Sequence, residues 1–275
     1  MRIKEKRVMG MLLLDTVKSL LAELESLTGK PVEYRENEHL PVAANLAVAS
    51  EGRPAHVLSY RRGAGPVANH IIANECGHLL RMLCAREEDR RVPVANQQTM
   101  IQFLEEMKNE IEEIALTLGT EKVRQLIIVW YDGIVFQVTR MPTDIAVESW
   151  LYERFPEFRP VQMKAILEQR ETAVLSLSDR IRKVTPQKIF DASHLMNYAY
   201  FRLMGDLFGV NYVNPYTGTL YREKGEGLVK ITLENRGEDN HEGDIRLVDL
   251  WASYLDLRSC YEWRLYGAAM DRRFH

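Results

Sequence analysis

The chain has 275 residues, enough for one large domain or two modest ones. Its 36 Lys and Arg against 39 Asp and Glu give a net charge of −3, which excludes the global basic field expected of a nucleic-acid binder. A hydrophobic fraction of 46% argues against disorder, and no apolar run approaches the ~18–20 residues of a membrane span.

The first residues, Met1 to Val8 and then Met9 to Leu14, mimic a signal peptide, but Asp15 and Lys18 interrupt the short apolar run and no small-residue cleavage site follows. Leu12 to Leu27 carries Leu13, Val17, Leu20, Leu21 and Leu24 at helical spacing and stops at Thr28-Gly29. Three short runs, 31–34, 43–49 and 55–60, separated by turn-rich segments, predict a small antiparallel sheet. After the Gly63-Ala-Gly-Pro66 break, a helix is expected from about Val67 to Ala85, with Pro66 near its first turn. A second long helix is expected over 96–118, its acidic stripe (Glu105, Glu106, Glu110, Glu112, Glu113) a solvated face.

The apolar stretch 125–138 is read as a helix in preference to a strand. Met141-Pro142-Thr143-Asp144 then predicts a fresh helix start, with Thr143 as cap, running to Phe155 before Pro156. Further helices are expected over 160–172 and 186–208, the latter stopped by Gly209. Residues 228–234 read as a strand of a hairpin, and 245–270 as an aromatic helix. Three cysteines (Cys76, Cys84, Cys260) at no framework spacing suit a reducing cytoplasm.

The chemistry concentrates in His70-Ile-Ile-Ala-Asn-Glu-Cys-Gly-His78. A zinc peptidase helix reads His-Glu-x-x-His: two histidines four residues apart bind the metal, and the glutamate activates its water. Positions four apart share a helix face, about 5–6 Å apart at Cβ. Here Glu75 and His78 are in register, but Asn74 stands at the first ligand position. An amide oxygen is a neutral, weak zinc donor. His70 lies eight residues before His78, about 12 Å along a helix axis, too far for the pair to share one ion without distortion. Cys76 points about 200° around the helix from Asn74 and is expected to pack inward. A third ligand must come from another element; Glu148 and Asp144, one turn apart on the following helix, are both candidates. A bare Glu-x-x-His is a common chance match, and the plainer reading is an amphipathic helix with His78 satisfied by a neighbour.

Ile71 to Arg81 resembles the active-site helix of the ImmA/IrrE-type zinc peptidases, which typically read Ile-Ala-His-Glu-x-Gly-His. Met141 to Pro156 is similar to a second helix of such proteins, in which a glutamate completes the metal site; Glu148 is the match here. The resemblance covers roughly 55–160 and departs from the family at Asn74. It implies a gluzincin-like fold with a strand edge beside the active-site helix, where a peptide would lie. Metal ligands would then be His78, Glu148 and Asn74 or a substitute for it, with Glu75 as general base.

Three other segments have plainer readings. His194, Tyr198 and Tyr200 offer oxyanion donors, but their setting reads as core packing. Glu238 to Asp249 loosely echoes a calcium loop and reads as an exposed acidic turn. Trp251, Tyr254, Tyr261, Trp263 and Tyr266 lack the basic companions that nucleobase stacking requires and read as core.

The expectation is therefore a helix-rich α+β chain: a zincin-like metallopeptidase domain over 1–160, and a helical C-terminal region with a β-hairpin over 161–275, packed with it as one unit. Two functions compete. One is a zinc peptidase acting on a protein or peptide. The other is a metal-free pseudo-peptidase, a binding or regulatory module. Neither involves nucleic acid or membrane, and the oligomeric state is open.

Overall fold

The computed structural model describes residues 12–49, 52–237 and 239–267. In chain order the elements are α1 (Asp15–Thr28), β1 (Val32–Glu36), β2 (Ala44–Ala47), β3 (His56–Tyr60), α2 (Gly65–Cys84), β4 (Arg91–Val94), α3 (Gln97–Glu106), α4 (Lys108–Leu118) and α5 (Thr120–Arg154). Then follow α6 (Arg159–Ser176), α7 (Asp179–Arg182), α8 (Gln187–Phe208), α9 (Leu220–Glu234), α10 (His241–Tyr254) and β5 (Glu262–Leu265). The protein is helix-rich α+β. No helix among the described residues is long and apolar enough to cross a membrane. Two compact units divide it: described residues within 1–87 together with 147–165, and those within 88–146 together with 166–275. The Val147–Arg154 end of α5 thus belongs to the first unit.

In the first unit, α1 and α2 bury their apolar stripes against a three-stranded sheet of order β1-β3-β2. The expected sheet is antiparallel; the observed one is mixed, since β1 runs parallel to β3 (Val32 opposite His56) while β2 is antiparallel to it (Leu46 opposite Leu58). Strand spacing in sequence says nothing about which edge of β3 each neighbour takes, and here β1 and β2 take opposite edges. A buried histidine ties this sheet to α1. Ala49 N donates to His56 Nδ1 at 3.1 Å, so Nε2 carries the proton and donates to Thr28 Oγ1 at 2.9 Å, which in turn donates to the Leu24 carbonyl at 2.7 Å. Burial pushes the His56 pKa below its ordinary value, in keeping with that neutral ring. Asn69, on α2, accepts from Leu14 N (2.8 Å) and donates to the Leu12 carbonyl (3.1 Å), pinning the entry to α1.

The second unit is almost all helix, and it departs from expectation at four places. Residues 96–118 form two helices because Met107, fully buried, leaves helical geometry (φ −99°, ψ 3°); no glycine or proline marks the break. Pro142 opens no helix but sits inside the 35-residue α5. The missing N–H deprives the Val138 carbonyl of its usual donor, a cost of about 3 kcal/mol. Trp130, Ile134, Val138, Met141 and Ile145 are all buried along one continuous stripe through the proline, and their burial at ~1.5–3 kcal/mol each outweighs it.

Residues 228–234 are helix, not strand. The β-branched alternation is local, whereas Tyr221, Gly225, Leu228, Val229 and Thr232 fall on one buried helical face once the window reaches back to residue 220. Finally, the helix expected over 245–270 ends at Tyr254; 262–265 form β5, antiparallel to β4 with Val92 opposite Arg264, and 268–270 lie outside the described residues. Gly209, at φ 68°, terminates α8 as expected. The acidic stripe is mostly exposed, although Glu106 reaches Lys188 at 2.8 Å.

Gly77 sets how closely α2 meets the end of α5. A Cβ there would stand 2.5 Å from Val147 Cγ1, inside contact distance of a β-branched side chain that has no room to swing. Gly133, also helical, has nothing within 4 Å of the same position. Gly77→Ala is therefore expected to lower stability by about 1–3 kcal/mol, and Gly133→Ala to raise it by about 0.5–1 kcal/mol. Urea denaturation of the two variants checks the opposite signs.

Candidate functional site

The near-motif lies on α2, and the resemblance-derived glutamate lies on the end of α5, within the same unit. Glu148 is 0% exposed. Its Oε1 receives the His70 ring Nε2 at 2.8 Å and Asn74 Nδ2 at 3.0 Å. Its Oε2 receives Gln162 Nε2 at 2.8 Å, and the same amide nitrogen also donates to the Glu148 backbone carbonyl at 3.0 Å. A carboxylate only accepts, so each of the three partners is the donor.

Local sequence explains the convergence. His70 and Asn74 are four apart on α2 and share a face. The inward face of the same helix (Ala68, Ile72, Ala73, Cys76, Leu80) is apolar and buried in the first unit's core. Gly77 admits Val147 and so brings the next residue, Glu148, down onto the His70–Asn74 face. Phe158 stacks on the His70 ring at 6.5 Å between centroids, 15° from parallel. It stands at the turn leading into α6, which carries Gln162. Cys76 is buried and its thiol is pushed up to about 12 by burial, so it is a packing residue, as its helical position predicts.

Of the expected site residues, the structure joins Asn74 and Glu148 directly. His78 and Glu75 are half-buried on α2, and among the described residues neither supplies a hydrogen bond to the Glu148 carboxylate. Asp144 lies on the second unit's part of α5. Two residues enter that the sequence reading did not place here. His70 acts with Asn74, one turn away, rather than with His78, two turns away. Gln162 carries no sequence signal beyond being a lone amide near the start of a helix, yet it is fully buried.

The donor set does not fit zinc as it stands. Only His70 and Glu148 are good zinc ligands. Asn74 and Gln162 turn N–H groups, not oxygens, toward the carboxylate, and both carboxylate oxygens are engaged. Among the described residues, no three His, Cys, Asp or Glu side chains group to hold a metal ion. No protein-family model, curated protein or solved structure matches the chain.

The other segments singled out by sequence lie in the second unit. His194, Tyr198 and Tyr200 are buried on α8 at 1–2% exposure. Asn240, in the acidic segment, caps α10 by accepting from Gly243 N at 2.9 Å, so that stretch begins a helix rather than forming a turn. Asp249 accepts from Tyr261 Oη at 2.6 Å and Trp263 Nε1 at 2.9 Å; Trp251 and Tyr261 are buried as expected and Trp263 and Tyr266 half-buried, but Tyr254 is exposed, its hydroxyl donating to the Lys224 carbonyl at 2.8 Å.

Glu148→Gln is expected to cost about 2 kcal/mol, because either orientation of the new amide sets its NH₂ against a donor; an unchanged urea midpoint would count against this role for the carboxylate. Burial lowers His194 to about 4, against opposing effects of the Ser176 backbone and Asp191. The unfolded chain therefore takes up this proton first. The contribution is complete above pH 6.5 and is lost as pH falls through the folded value, about 3 kcal/mol in all. His194→Gln is expected to lose less stability than wild type between pH 7 and pH 4 by about that amount, measured by denaturant unfolding at both pH values.

Proposed function

We propose that the chain is a metal-free relative of the ImmA/IrrE-type zinc peptidases, a pseudo-peptidase that binds an extended peptide or protein segment without cleaving it. The observation that carries this reading is the hydrogen bond from Asn74 Nδ2 to Glu148 Oε1 at 3.0 Å. At the position where an active relative has a histidine sharing an ion with the glutamate, this chain has an amide that hydrogen-bonds the glutamate directly. His70 and Gln162 complete the replacement. Zinc would have to displace Asn74 from Oε1 and gain in return only an imidazole and a carboxylate as strong ligands. Glu75 then has no metal-bound water to deprotonate.

The binding role is supported by the sheet. β2 pairs with β3 alone among the described strands, and α2 packs beside it. An unpaired strand edge next to the former active-site helix suits β-strand addition, in which main-chain hydrogen bonds hold the guest. A cytoplasmic location belongs to the same reading, supported by three free cysteines, one of them exposed.

Metal analysis of the purified protein after equilibration with micromolar zinc tests the proposal. The wild type is expected to hold substoichiometric zinc and to keep its melting temperature in chelator. Asn74→His is expected to bind zinc at least about tenfold more tightly, since it restores an imidazole four residues before His78. Stoichiometric zinc in the wild type, lost in Glu148→Gln, would overturn the proposal and favour the peptidase.

A further inference from the structure

The outer side of α5 in the second unit carries an apolar patch that the peptidase-like reading does not use. Between residues 120 and 137, exposed positions recur at 121, 125, 128, 132 and 136, a spacing that puts them on one stripe of the helix. The stripe runs about 22 Å at 1.5 Å per residue. Ile128 is 54% exposed, and Val129 and Phe136 are each 64% exposed. Val129 and Phe136 also line a cavity of 560 Å³ walled by α5, α6 and α8, together with Ile181, itself 40% exposed. Large apolar side chains gathered side by side in water mark a contact surface.

The charges on this face say what covers it. Arg124 and Asp132, both exposed and opposite in sign, stand four residues before and four residues after Ile128. Arg124 approaches Glu121 at 3.6 Å with both side chains mostly in water, and among the described residues Asp132 is in no ion pair. A second copy of the helix, antiparallel and related by a twofold axis beside Ile128, sets Arg124 opposite the partner's Asp132 and Asp132 opposite the partner's Arg124. The apolar side chains then meet between two ion pairs. A parallel copy would set each charge against its own kind, which repels. A lipid surface fits poorly, because interfacial helices keep an apolar face apart from a basic one and here Asp132 lies within the apolar stripe.

We propose that the exposed face of α5 pairs with a second copy of this chain to form an antiparallel, twofold homodimer, with Ile128 and Val129 at its centre and an Arg124–Asp132 ion pair on either side. A closed twofold contact covers the patch on both copies at once and leaves none free for further growth. A single-helix contact of this length is small for a specific interface, so a dissociation constant of roughly 10–100 µM is expected. The proposal stands independently of whether α2 and Glu148 hold zinc.

Sedimentation velocity of the whole chain over roughly 1–300 µM tests this, and the wild type is expected to pass from monomer to dimer across that range. Arg124→Asp and Asp132→Arg each set like charges opposite one another at both ends of the contact. Each is expected to weaken dimerisation at least about tenfold while leaving the circular dichroism spectrum unchanged, since both residues are exposed. An equimolar mixture of the two variants is expected to restore the dimer, because every facing pair is then opposite in charge. Val129→Asp is expected to abolish dimerisation through the apolar centre, and no charge variant should rescue it. A wild type that stays monomeric throughout would overturn the proposal and leave the patch to a different partner. A dimer that persists in Val129→Asp, or two charge variants that do not restore each other, would overturn it by placing the contact on another face.

Discussion

A carboxylate withdrawn completely from water is the constraint around which the first unit is organised. Burying an ionised group costs several kcal/mol unless donors replace its hydration. Glu148 obtains three, from two helices: His70 and Asn74 on α2, and Gln162 on α6. Each must arrive within about 3 Å, which limits how α2, the end of α5 and the start of α6 can pack. Gly77 belongs to the same requirement, since any side chain there would hold Val147 away and lift Glu148 with it. The network is therefore structural in its own right. An imidazole and two amides hold the glutamate in place.

The two units use buried histidines differently. His56, in the first, has both ring nitrogens engaged, linking β3, the segment after β2 and the end of α1 in one relay. His194, in the second, is packed by aromatic rings and has one nitrogen unmet beside a cavity. The first arrangement locks a sheet onto a helix and leaves the ring no capacity for another partner. The second is held by ring packing, and burial keeps it neutral.

Much of the fold could be read from the chain. The stripe of Leu13, Val17, Leu20, Leu21 and Leu24 is a helix; the three short runs after it are strands; and α2, α6 and α8 fall within a few residues of their expected ends. The misreadings have specific causes. Pro142 is a strong local stop signal, but a buried stripe extending 12 residues before it overrides that signal. Residues 228–234 alternate like a strand only when the preceding glycines, themselves packed against helix neighbours, are left out of the window. β5 exists because β4, some 170 residues earlier, offers it an edge. Of the site, Asn74 and Glu148 could be paired from sequence through the resemblance, whereas Gln162 could not be found at all.

The sequence by itself determined the helix-rich class, the register of α2 and the departure at Asn74 from a zinc-binding motif, because helical periodicity and side-chain chemistry are local properties. The tertiary structure decided what Asn74 does there. Whether an amide offers its oxygen to a metal or its nitrogen to a carboxylate depends on what stands opposite, and that is Glu148, 74 residues away, with His70 sharing the same oxygen. Long-range partners of this kind follow from how helices pack, and no spacing along the chain encodes them.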